Sequence, residues 1–243
     1  FGDTITYPFY YTDNPAPEEA ELYTLANKLA YGIDAFPTDP TTQLHGTPED
    51  YVYGVLGVPA LAYAIGSSPE GQYFMNCEDF DRELNANLNM LIRAAKASFA
   101  PYSMPAGPEI TNLSLQPHKE NGQTIWQLSA VVKTNLYRFP ANPSPIVASA
   151  VYSFDLAPWE EGAELLEILP VDGIWDEAEE ALFTDLDIST LQPGLHRVYV
   201  QAAQENGTSG LASAGTITIT SEPLPTSTPI VDEHHNYLPL INK

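Results

Sequence analysis

The apolar residues of this chain change their spacing once, and that change divides it into two kinds of structure. Ahead of Ser103 they recur three and four positions apart or run nearly unbroken; beyond Pro108 they alternate in short runs between turn signals. Glu18 to Tyr31 sets Leu22, Leu25, Ala26 and Leu29 on one face, with acidic residues in the first turn and Gly32 just past the end, which predicts a helix. Asp79 to Ser98 carries Phe80, Leu84, Leu88, Leu91, Ile92 and Ala95 on one stripe and predicts a second. Asp3 to Phe9 has the β-branched alternation of a short strand, Tyr10 to Pro17 is a loop broken by prolines, and Ile33 to Pro48 is a Pro-, Thr- and Asp-rich loop. Val55 to Ile65 is almost continuously apolar and predicts a strand covered on both faces by helices.

Strand, helix, strand, helix is the grammar of an α/β layer. Two strands are too few to pair their own edges, so the first part of the chain reads as the end of a larger α/β domain. Ser103 to Pro108 is a linker. After it, Trp126, Leu128, Ala130 and Val132 share a face, as do Ala148, Ala150, Tyr152 and Phe154, then Val198, Val200 and Ala202, then Ile217 and Ile219. Turns at Glu120-Asn121-Gly122, Asp172-Gly173, Gln192-Pro193-Gly194 and Glu205-Asn206-Gly207 separate these runs. About seven such strands without a long helix predict an all-β immunoglobulin-like sandwich. The expected organisation is an incomplete α/β domain over residues 1–103, the sandwich over 104–222, and a Pro-, Ser- and Thr-rich linker and tail over 223–243.

Charge narrows the partners. Nine basic side chains against 32 acidic ones give a net charge of -23, which repels nucleic acid and anionic membrane surfaces. No apolar run approaches the roughly 20 residues that cross a bilayer. The chain starts at Phe1 with neither a basic start nor an apolar run suited to a signal peptide, so the numbering is expected to begin inside a longer chain. Cys77 is the single cysteine. It reads either as a free, half-buried thiol or as one half of a bridge to a partner upstream of Phe1, the latter fitting a secreted parent.

The pattern Asp50-Tyr51-Val52-Tyr53-Gly54, followed by Gly57-Val58-Pro59 and an apolar run to Ile65-Gly66, resembles the active-site strand of the zinc carboxypeptidases of the M14 peptidase family. Phe1-Gly2-Asp3-Thr4-Ile5-Thr6-Tyr7-Pro8 is similar to the strand that follows that family's third zinc ligand. Gly71 to Phe74, Cys77-Glu78, Asn85 to Asn89, Ala94 to Ala97 and Ala100-Pro101-Tyr102 resemble its last helix and exit. The resemblance covers residues 1 to about 103, roughly the final third of such a catalytic domain, and implies hydrolysis of C-terminal peptide bonds, with peptide or protein C-termini as partners and an extracellular, secreted or cell-surface location.

The same resemblance implies zinc as the cofactor of the parent, held by His-x-x-Glu and a later histidine. None of His45, His118, His196, His234 and His235 stands in His-x-x-Glu, and the later histidine would fall two residues before Phe1, so this chain alone is expected to bind no zinc. The family's glutamate base falls on Ala64, which accepts no proton, and loss of a general base costs about a hundredfold or more in rate. Glu70 stands several residues away, too far for near-attack geometry. Ala64 reads either as a natural loss or as an introduced knockout.

Two positions are implied in substrate binding. Phe36 is the candidate for the family's mobile tyrosine over the substrate carboxylate and lacks the hydroxyl, while Glu49 matches a position that lines the specificity pocket in some relatives. An acid there favours a basic terminal residue, although Glu49 equally reads as a solvated loop acid. Several other features carry bland readings. His234-His235 beside Asp232-Glu233 belongs to a linker without preset geometry, Asp172 to Asp176 is a turn, and Glu160, Glu161, Glu164 and Glu167 form a solvated face. Ser149 to Asp155, Pro158-Trp159, Asp172-Gly173, Trp175-Asp176 and Gly194 to Val200 are similar to the immunoglobulin-like domain that follows many bacterial members of the family, which makes His196 a strand residue. The competing reading is a non-catalytic pseudo-carboxypeptidase whose retained pocket binds peptide termini or a cell-surface ligand.

Overall fold

A computed structural model describes residues 3–8, 16–33, 35–37, 46–64, 77–120 and 123–220. The first part is built on a three-stranded sheet in the order β2-β1-β3, with β1 at Asp3–Thr6, β2 at Ala35–Pro37 and β3 at Ala62–Ala64. β1 and β2 are parallel and joined through helix α1 (Glu19–Leu29), while β3 runs antiparallel to β1. The predicted face of α1 is the buried one: Leu22, Leu25, Ala26 and Leu29 pack with Ile5 and Tyr7. Around this sheet lie α2 (Pro48–Leu56) and α3 (Phe80–Ala97).

Two expectations for this part change. Strand Val55–Ile65 contracts to Ala62–Ala64, because Val55 and Leu56 close helix α2 and residues 57–61 take no regular structure; Ile65 and Gly66 lie outside the described residues. Thr47 caps the helix, its Oγ1 accepting from Asp50 N at 3.4 Å while Asp50 Oδ2 accepts from Thr47 N at 3.2 Å. Pro48 occupies the first turn, and Gly57 ends the helix in the left-handed region at φ 67°. These end signals outweigh the apolar content of the segment. The expected loop Ile33–Pro48 likewise contains β2 and the start of α2.

The apolar stripe of α3 is exposed. Phe80, Leu84, Leu88, Leu91 and Ile92 are 47–59% accessible, whereas Asn87, Met90 and Ala97 on the opposite side are buried. Tyr51, Val55, Leu56 and Val58 of α2 and the turn after it are exposed as well. A helix apolar on its outer side while packed on its inner side has the pattern of an element inside a larger structure.

From Glu109 on, the elements among the described residues are strands. Strands β4 (Glu109–Glu120), β5 (Gln123–Lys133) and β8 (Glu179–Asp185) form one antiparallel sheet in the order β4-β5-β8. Strands β6 (Val147–Phe154), β7 (Leu166–Ile168), β9 (Gly194–Gln204) and β10 (Ser213–Ile219) form another in the order β10-β9-β6-β7. One core lies between them, with Leu128, Val132 and Leu182 from the first sheet and Ala150, Tyr152, Val198, Val200 and Ile217 from the second. The alternation read from the sequence matches this burial in β5 and β9, whereas at the start of β6 a register shift between Val147 and Ser149 buries Val147 and leaves Ala148, expected inside, exposed. The chain as a whole is thus mixed α/β with mostly antiparallel sheets. Among the described residues, no helix is long and apolar enough to cross a membrane.

The two parts meet around one carboxylate. Glu109, at the start of β4 and buried, has Arg93 Nε at 3.4 Å and Lys28 Nζ at 3.9 Å. Lys28 is fully enclosed, donates to Gly107 O at 3.0 Å and lies 4.7 Å from the centre of the Tyr137 ring. Arg93 donates to Tyr31 O at 2.7 Å, and Lys96 to Ser213 Oγ at 2.7 Å. The backbone of 107–109 is pressed against 209–211 so closely that a Cβ on Gly210 would sit 1.6 Å from Pro108 O. Only glycine fits there.

Burial pushes the Lys28 ammonium down to about 8, against the opposing pull of Glu109 and with help from Arg93 and Lys96. The unfolded chain binds this proton up to 10.5 and the folded chain only up to about 8. The cost of burying the charge is therefore present in full below pH 8 and is relieved as pH rises toward 10, a gain of about 3 kcal/mol at most. Urea denaturation between pH 7 and 10 should show stability rising for the wild type and a flatter profile for Lys28→Met. An identical slope in both proteins would assign the effect elsewhere.

Candidate functional site

Strand register decides which of the implied site positions come together. Thr4 of β1 pairs with Phe36 of β2 on one side and with Ala64 of β3 on the other, so three backbone positions form one row across the sheet. Two residues along β1, Thr6 pairs with Ala62, and its Oγ1 donates to Glu49 Oε1 at 2.9 Å. The same hydroxyl is 3.5 Å from Ala62 O, the weaker of its two acceptors. Strand alternation puts Thr4, Thr6, Ala62 and Ala64 on one face and Ile5 and Tyr7 on the other, toward α1. Ala64, Glu49 and the backbone of Phe36 thus belong to a single neighbourhood.

Each member is held for a local reason. Glu49 stands in the first turn of α2, where a carboxylate is favoured by the helix terminus, and the Thr47–Asp50 capping box fixes that turn against β1. It is buried rather than a solvated loop acid. Ala64 is exposed, leaving room for a longer side chain. Glu70 and His45 lie outside the described residues, as do His234 and His235.

Among the described residues, the donor set on this face does not fit zinc. Its one carboxylate already accepts from Thr6, and the described histidines, His118 and His196, belong to the β strands. Among the described residues, no group of three His, Cys, Asp or Glu side chains is placed to hold a metal ion. His196 is a strand residue whose Nδ1 lies 2.7 Å from Asp155 Oδ2 and whose Nε2 lies 2.7 Å from Gln192 O. Asp155 raises the imidazole above its ordinary value, with Gln192 O adding to the effect. Asp172 accepts from Ile174 N at 3.1 Å beside Gly173 at φ 83°, which makes the segment a turn. Glu160, Glu161, Glu164 and Glu167 are exposed, and Cys77 is a free, exposed thiol.

Thr6 was absent from the sequence-derived candidates. The alternation in Asp3-Thr4-Ile5-Thr6 was a signal for it, since it places two hydroxyls on the face opposite Ile5.

Comparison with known proteins leaves the family open: no family model and no curated protein matches the chain. Solved structures similar to it include a polysaccharide deacetylase from Bacillus cereus, 11% identical, over 44% of this chain and 29% of that one with a TM-score of 0.27. A polysaccharide deacetylase from Bacillus anthracis is also 11% identical over 44% of this chain and 29% of that one, with a TM-score of 0.24. An endo-β-1,4-mannanase from Thermotoga petrophila is 15% identical over 82% of this chain and 35% of that one, with a TM-score of 0.28. The chain therefore spans about a third of each of these molecules, and at such scores the likeness carries no functional weight.

The Thr6–Glu49 contact makes a direct prediction. Glu49→Ala should cost about 1–3 kcal/mol in urea denaturation, and Thr6→Val less. A double-mutant cycle should return a coupling of about 1 kcal/mol or more, whereas additive losses would mean that the two groups do not interact in solution.

Proposed function

We propose that this chain is the carboxy-terminal portion of a secreted zinc metallocarboxypeptidase, which hydrolyses C-terminal peptide bonds, and that the chain by itself does not turn over peptides. The observation that carries the proposal is the row Phe36–Thr4–Ala64 with Glu49 beside it: the three positions implied by the resemblance, Phe36, Glu49 and Ala64, lie in one neighbourhood of the sheet. The exposed stripe of α3 supports the reading of residues 1–103 as part of a larger domain, with upstream chain supplying the zinc ligands and more of the sheet. Residues 104–222 are read as an immunoglobulin-like module. The antiparallel orders β4-β5-β8 and β10-β9-β6-β7 around one core suit that architecture, with the short strand β7 at the edge of the second sheet.

Ala64 favours a second reading. With no carboxylate at the base position but Glu49 retained and buried, the site has means to hold a basic terminal residue and none to activate water. That describes a pseudo-carboxypeptidase binding peptide or protein C-termini outside the cell.

The test compares the full-length parent polypeptide with its Ala64→Glu variant on peptides bearing free or amidated C-termini, with zinc added. The proposal expects cleavage of free-ended peptides to rise by about a hundredfold or more in the variant, with amidated peptides resistant. Equal rates for parent and variant would refute the assignment of position 64. Saturable binding of free-ended peptides without cleavage by either protein would select the second reading.

A further inference from the structure

On the opposite side of β1 from Thr6 and Glu49, a cavity of about 450 Å³ opens beside the carboxyl ends of the parallel strands β1 and β2. Its lining includes Tyr7, which follows β1, Pro37, which ends β2, and Glu19, Ala20 and Tyr23 from the first turns of α1. A crevice outside the carboxyl ends of the strands is the place where open α/β sheets bind ligands, and this volume falls within the range of small-molecule sites. The fold and proposed function above assign it no role.

The chemistry of the lining selects the ligand. Tyr7 and Tyr23 meet edge to face with their ring centres 6.0 Å apart; Tyr7 is buried, and Tyr23, half exposed, supplies an accessible π-system of the kind that attracts cations. Glu19 contributes a carboxylate, and Glu18 and Glu21 flank it on the same turn. A helix N-terminus by itself favours an anion, by about 0.3–1 kcal/mol. Glu19 in the lining opposes that preference, with Glu21 close by and Glu18 accepting from the Tyr53 hydroxyl, and the acidic field is felt nearby: after burial, Glu18 and Glu21 are what raise the Tyr102 hydroxyl above its ordinary value. A net charge of -23 adds a long-range attraction for positive ligands.

We propose that the cavity bounded by Tyr7, Tyr23, Glu19 and Pro37 is a binding site for a small organic cation of the quaternary ammonium or guanidinium type. The cation packs against the two tyrosines with its charge toward Glu19. The site is separate from the Ala64 face, so its occupancy does not depend on peptidase ancestry.

The experiment is calorimetric titration of the full chain with choline and with 3,3-dimethylbutan-1-ol, its uncharged isostere. Choline should bind saturably and at least fivefold more tightly than the alcohol. Its affinity should fall with added salt. Tyr23 is 41% exposed and Glu19 lies at the surface end of α1, so Tyr23→Leu and Glu19→Gln should keep the fold, checked by circular dichroism, while each weakening choline at least fivefold. No saturable choline binding would overturn the proposal. So would equal affinity for the alcohol, or affinity unchanged in both variants.

Discussion

The contact on which the arrangement of this chain depends is the buried carboxylate of Glu109. It is the acid for three cations, Lys28, Arg93 and Lys96, that come from two different helices of the α/β part. Arg138, from the β part, also reaches the α/β part, its Nη1 donating to Ile33 O at 3.4 Å and its backbone N to Asn27 O at 3.0 Å. A buried ion pair adds little net stability over an apolar pair, but removing one partner costs about 3–5 kcal/mol, because the other charges stay buried. The cluster therefore specifies how the two parts sit together more than it strengthens them. The dependence is unequal: Leu211 and Trp159 of the β part enter the core of the α/β part, while the core between the two sheets is built from β residues alone.

The exposed face of α3 connects this arrangement to function. An 18-residue helix that shows Phe80, Leu84, Leu88, Leu91 and Ile92 to solvent while burying Asn87 and Met90 is packed on its less apolar side. On the site face Glu49 and Thr6 are paired and Ala64 is exposed, and among the described residues no metal-holding group lies near them. The cavity beside Tyr7 and Tyr23 lies on the other side of β1 from that face.

What the sequence revealed follows from how local each signal is. Much of the β part was legible because period-two burial is written into its strands, as in Leu128, Ala130 and Val132 or Val198, Val200 and Ala202, although the register shift at Val147–Ser149 turns Ala148 outward. Helix α1 was legible for the same reason at its own period. Helix α2 was misread because the apolar run to Ile65 looked like a strand, although Thr47, Pro48, Asp50 and Gly57 together spelled a capped helix. The exposure of the α3 stripe could not be read, since periodicity locates an apolar face without saying whether anything covers it. The Glu109 cluster was invisible because its partners stand far apart in the chain. The row Phe36–Thr4–Ala64 depended on the short strand β2, which lay hidden in a Pro- and Thr-rich segment.

Native-state hydrogen exchange on the whole chain, wild type against Glu109→Ala, tests the central claim that the β part holds the α/β part through this one carboxylate. The account predicts that amides of α1 and α3 lose protection by an amount approaching about 3–5 kcal/mol, while those of β5 and β9 keep theirs. Equal loss in both parts, or none in either, would contradict it.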